Sequence, residues 1–118
     1  MSVREIEMFR KGIYKSKSVL YENNRLSKYV AQKGCCGITG ERLTPHQALC
    51  HHIKPTAQGG TDKYDNLIII NRKYHILIHN SDPLRNKEYR KILSKFEVKA
   101  INKLNRLRTE VGNPKLSL

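Results

Sequence analysis

The stretch that decides the reading is Cys50-His51-His52-Ile53-Lys54-Pro55, followed by Gly59-Gly60, Asn66-Leu67 and His75-x-x-x-His79. Four of the five histidines lie between residues 51 and 79. Imidazole titrates near neutrality and is the commonest protein metal ligand. Histidines four apart on a helix share a face, so His75 and His79 can address one ion. On a strand, adjacent side chains point to opposite faces. His51 and His52 therefore do different jobs, and Pro55 ends the strand soon after them.

Outward from this stretch, Gln47 to Ile53 reads as a strand returning from a tight turn. Its expected partner is Cys36-Gly37-Ile38-Thr39-Gly40-Glu41, which makes a β-hairpin. Pro55 to Asp65 is a loop centred on Gly59-Gly60. Leu67 to Ile70 suits a short buried strand, and Asn71 can cap a helix running to about Asn80, with Ile76 and Ile78 anchoring it to the core. Ser2-x-x-Glu5 predicts a capping box opening a helix with Val3, Ile6, Phe9 and Ile13 on one face. A second helix is expected from about Glu22 to Gln32, with Leu26, Tyr29 and Val30 inward and Gly34 ending it.

Beyond the centre, Ser81-Asp82-Pro83 predicts a helix start with proline in its first turn, and Leu84, Ile92, Leu93 and Phe96 as its apolar residues. A last helix carries Val98, Ile101, Leu104, Leu107 and Val111 and stops at Gly112-Asn113-Pro114. The order is two helices, a β-hairpin, a His-bearing helix and two further helices. That is an α+β fold of one domain over 1–118, with a helical N-terminal flank (1–33), a core (34–80) and a basic helical tail (81–118).

The chain of 118 residues carries 23 Lys and Arg against 10 Asp and Glu, a formal net charge of +13. Spread along amphipathic segments, that excess favours a polyanionic partner. No apolar run is long enough to span a bilayer, and the N-terminus lacks the apolar core of a signal peptide, so a cytoplasmic location is expected and no membrane partner. Cys35, Cys36 and Cys50 make neither a disulfide framework nor a CxxC pair, and reduced thiols are expected. His46 reads as a surface residue and Cys50 as a packed thiol.

At the quoted residues the chain resembles the HNH, or ββα-metal (His-Me finger), endonucleases. The resemblance implies a ββα-metal core in which His52 is the general base that activates water. His51, His75 and His79 are implied as metal ligands, and Asn66 as the residue that fixes the architecture around the base. Lys54 and Lys73 are candidates for phosphate contacts. The implied cofactor is one divalent ion, Mg²⁺ or Mn²⁺ for activity. Zn²⁺ or Ni²⁺ also suits three imidazoles, because transition metals take nitrogen ligands more readily than Mg²⁺ does. Many relatives carry a zinc ribbon of two cysteine pairs around this core. Here Thr39 stands where one second cysteine would be, and Asn71 and Tyr74 stand where the far pair would be, so no structural zinc is expected.

The wider pattern resembles the C-terminal endonuclease region of bacterial group II intron reverse transcriptase/maturases. It comprises Asn24-Arg25-Leu26-Ser27, Gln32-Lys33-Gly34-x-Cys36-x-Ile38-Thr39-Gly40, Gly59-Gly60-Thr61-Asp62 and Leu104-Asn105-x-Leu107-Arg108. The expectation is a DNA endonuclease leaving 5′-phosphate and 3′-hydroxyl ends on double-stranded DNA. Intron RNA or a reverse transcriptase is the further partner that this resemblance implies. The alternative is a nucleic-acid-binding module whose metal is structural and which cuts nothing. Oligomeric state is not legible from the residues.

Overall fold

In the computed structural model, residues 1–11 and 18–118 are described. Helix α1 covers Val3–Arg10, and its capping box is formed: the Glu5 amide donates to Ser2 Oγ at 3.1 Å and the Ser2 amide donates to Glu5 Oε1 at 3.0 Å. Phe9 is its buried residue, whereas Val3 is exposed, because the first turn has nothing packed over that side. Ile13 lies outside the described residues. Helix α2 covers Val19–Ala31, starting earlier than Glu22 because the Ser18 hydroxyl caps it by accepting from the Tyr21 amide. Tyr21, Arg25 and Tyr29 form its buried stripe, and Val30 is turned out to solvent. Lys33 and Gly34 both take positive φ, reversing the chain immediately after the helix.

The strand pairing differs from the sequence expectation. Strand β1, Ala48–His52, pairs antiparallel with β2, Leu67–Asn71, in the register His51 to Ile68 and His52 to Leu67. Residues 36–41 instead close a tight knuckle. The Cys36 amide donates to the Glu41 carbonyl, the Gly40 amide donates to the Cys36 carbonyl, and a single bridge joins Cys35 to Arg42. With those backbone groups spent inside the turn, the knuckle cannot extend as a strand, and the apolar β2 run becomes the partner of β1. Gln32 acts at β2 as a substitute for a further strand. Its side-chain carbonyl accepts from the Ile69 amide at 3.0 Å, and its amide donates to the Ile69 carbonyl at 2.9 Å.

Beyond β2 a 3₁₀ turn, Arg72–Tyr74, is capped by the Asn71 side chain and runs into α3, His75–His79. Leu77 and Ile78 are fully buried and hold α3 to the core; Ile76 faces solvent, because residues one apart on so short a helix cannot all face inward. Pro83 opens only a 3₁₀ turn, and α4, Lys87–Leu93, begins at an Asn86 cap that accepts from the Glu88 and Tyr89 amides. Helix α5, Val98–Glu110, buries Leu104 and Leu107, while Val98 is exposed in its first turn.

The core gathers residues from every segment, including Tyr29, Leu43, Ile69, Ile70, Leu77, Ile78 and Leu104. It is thus an α+β arrangement of a two-stranded antiparallel hairpin followed by a histidine-bearing helix, flanked by helices. Among the described residues no helix is long and apolar enough to cross a membrane.

Cys36, Thr39, Asn71 and Tyr74, the positions compared above with a zinc ribbon, do meet in space. Three of them are joined through Glu41, whose Oε1 accepts from Thr39 Oγ1 at 3.0 Å and from Asn71 Nδ2 at 3.5 Å. The Tyr74 hydroxyl also bonds to Glu41; burial first and then this carboxylate push its pKa up. Cys36 Sγ accepts from the Ile38 and Asn71 amides, each at 3.4 Å.

Candidate functional site

The hairpin and α3 bring three of the four clustered histidines together. His51 projects from β1, and His75 and His79 stand one turn apart on α3. Ring centroids are 5.4 Å apart for His51 and His75, 5.6 Å for His51 and His79, and 4.4 Å for His75 and His79. Each residue offers one nitrogen, and those atoms lie within 4.8 Å of one another. His51 is buried, and its Nε2 has no hydrogen-bond partner. A buried polar atom without a partner costs free energy unless something else binds it.

Burial, followed by the facing His75 and His79, pushes the His51 pKa down to about 3. Burial, followed by His79 and Arg72, lowers that of His75. Neutral imidazoles keep the lone pair that a metal needs. The orphaned nitrogen and the three convergent imidazoles fit a divalent metal ion. Three protein ligands also leave coordination positions open for water or a phosphate oxygen, as catalytic sites require.

His52 has other surroundings. Its ring stacks on Tyr21 of α2, with centroids 5.2 Å apart and planes 16° apart, and its Nε2 lies 2.8 Å from Asp62 Oδ1. It nevertheless borders the same shallow depression, of about 270 Å³, as His51, His75 and His79. Three histidines thus form one cluster, with the fourth at its edge on a carboxylate.

Asn66 ties the intervening loop closed. Its Oδ1 accepts from the Lys54 amide at 2.9 Å, and its Nδ2 donates to the carbonyls of Lys54 at 3.0 Å and Thr61 at 2.8 Å. The loop passes so close to itself that a Cβ on Gly60 would sit 1.8 Å from the Lys54 carbonyl oxygen. Only glycine fits there.

Lys54 and Lys73 are exposed, and neither lines the histidine depression. His46 is exposed, two residues before β1, and does not line the histidine depression. Cys50 packs among α2 side chains, and burial pushes its thiol up to about 11, away from the thiolate that would ligate metal.

Sequence reasoning singled out no role for Tyr21, Asn24 or Asp62 at this site. Asp62 had one legible signal: the two glycines before it allow the loop to double back. Its contact with a residue ten positions upstream depends on the folded loop, and no local period announces it.

Residues 34–81 match the family model of the HNH endonucleases. The match takes in the knuckle, both strands, the loop and α3. At the level of the family it supports nuclease chemistry on a nucleic acid, with a bound metal. No curated protein and no solved structure matches the chain.

Proposed function

We propose that this single domain is a metal-dependent endonuclease that hydrolyses DNA to 5′-phosphate and 3′-hydroxyl ends. The observation that carries the reading is the division of the four histidines: three convergent imidazoles, one with an orphaned buried nitrogen, and a fourth at the rim held by a carboxylate. A purely structural metal site has no use for that fourth histidine.

In this reading His51, His75 and His79 hold the ion, which supplies positive charge to the phosphoryl oxygens and the departing 3′ oxygen. His52 accepts a proton from the attacking water as its oxygen bonds to phosphorus and the bond from phosphorus to the 3′ oxygen breaks, and the departing oxygen takes a proton from solvent to become the 3′-hydroxyl. Asn66 keeps the two ends of the loop in register, so that His52 meets the phosphate at a fixed angle. Lys54 and Lys73, both exposed, bind flanking phosphates. The working ion is Mg²⁺ or Mn²⁺. On the resemblance of the flanking motifs, the setting is second-strand nicking beside a group II intron reverse transcriptase in the cytoplasm.

The test is plasmid nicking with Mn²⁺ or Mg²⁺ by the wild-type protein and His52→Ala, with Zn²⁺ binding followed by calorimetry. Loss of nicking with Zn²⁺ affinity retained is the expected result. Equal nicking by both proteins removes His52 as the base, and no nicking by wild type with any divalent ion favours the binding module.

A further inference from the structure

We propose that Asp62 is a positioning residue that holds His52 in its Nε2–H tautomer and leaves Nδ1 as the nitrogen that takes the proton from water. This deepens the proposed function and rests on reading His52 as the base. At neutral pH an aspartate only accepts hydrogen bonds. With Asp62 Oδ1 2.8 Å from His52 Nε2, the proton of a neutral imidazole belongs on Nε2, so the lone pair belongs on Nδ1. Among the described residues Nδ1 has no hydrogen-bond partner of its own, and His52 borders the depression that holds the three metal-type histidines.

Asp62 is itself held from several sides, which distinguishes it from a loop carboxylate that happens to lie near a histidine. The Ser18 hydroxyl, at the head of α2, is bonded to its carboxylate. Asn24 Nδ2, nearly two turns further along α2, donates to the Asp62 carbonyl at 3.0 Å. Asn66 Nδ2 fixes the adjacent Thr61 carbonyl at 2.8 Å. The His52 ring is meanwhile gripped on its face by Tyr21 of the same helix. Helix α2 therefore controls both the plane of the imidazole and the acceptor on its far nitrogen. That gives the otherwise unassigned Asn24 a place in the machinery. The analogous carboxylate in a Ser-His-Asp triad fixes the tautomer without being protonated itself, and its loss leaves the wrong nitrogen free.

The experiment uses the full chain labelled with ¹⁵N, without metal and at mildly alkaline pH. Long-range ¹H–¹⁵N correlations report which nitrogen of His52 carries the proton. Wild type is expected to show the Nε2–H form, and Asp62→Asn and Asp62→Ala a mixture of both. Zn²⁺ affinity by calorimetry stays within a few-fold. With Mn²⁺ and plasmid, kcat falls roughly 10- to 100-fold while KM for DNA changes little, and Asp62→Glu recovers part of the loss. An Nδ1–H form in wild type, or an unchanged tautomer in the variants, overturns the proposal while leaving His52 as base. Full nicking by His52→Ala overturns the base itself, and this inference with it.

Discussion

At the residue scale, His51 carries the most consequence. Its imidazole is buried, its Nε2 has no partner, and its pKa lies near 3 in the fold against an ordinary value of 6.5. Between those values the unfolded chain binds a proton that the folded chain refuses. Stability is therefore complete above about pH 6.5 and is lost as pH falls toward 3, at up to ~1.4 kcal/mol per pH unit from this group. Urea melts of the metal-free protein across that window check the slope. His51→Gln is expected to flatten it and to abolish the rise in Tm on adding Zn²⁺. Saturating a site to a hundred times its Kd stabilises the fold by about 2.7 kcal/mol, a shift that a thermal melt resolves. The histidine pattern was legible in the chain because its spacings are local: neighbours on a strand, and i to i+4 on a helix. Asp62 was not legible as a partner, because only the closed loop brings it to His52.

At the scale of elements, the hairpin was expected and found, but with a different partner strand. Helix periods and caps are local and were mostly readable, as Ser2 and Asn71 show at their helix starts, whereas the Ser18 cap that starts α2 early was not read. Strand pairing depends on where a loop returns, and two candidate segments competed for β1. The knuckle lost because its turn consumes its own backbone groups. What the knuckle does instead is join the side chains of Thr39, Asn71 and Tyr74 through Glu41. Replacing Glu41 by Ala leaves the buried Tyr74 hydroxyl and the Asn71 amide without that acceptor. The expected cost is about 1–3 kcal/mol in urea unfolding, with Zn²⁺ affinity unchanged because the knuckle ligates nothing in this reading. A parallel fall in Zn²⁺ affinity would tie the knuckle to the histidine cluster.

At the scale of the whole molecule, α5 reaches across to the end of the histidine helix. The Arg108 guanidinium is fully buried and donates to the carbonyls of Leu77, Asn80 at 2.7 Å, Ser81 at 3.2 Å and Pro114 at 2.9 Å. Asn113 Nδ2 donates to the Ile78 carbonyl at 2.8 Å. A helix of one turn leaves most of its carbonyls without internal partners, and these two residues take up those of Leu77 and Ile78. Arg108→Met is expected to cost ~3–5 kcal/mol in urea unfolding, since it takes the donor from the buried Leu77 carbonyl and from three part-buried carbonyls at once, and to weaken Zn²⁺ binding by loosening α3. The net charge of +13 predicts DNA affinity that falls steeply with salt, measurable as the slope of log affinity against log salt concentration.

The clamp at Arg108 also has a consequence in time. A chain is made from its N-terminus, at about 5–20 residues per second, and Arg108 follows His79 by roughly thirty residues. Both histidines of α3 are therefore joined to the chain before the side chain that bonds the end of that helix. A nascent chain stalled before α5 would carry all three clustered histidines without the guanidinium that bonds the end of α3.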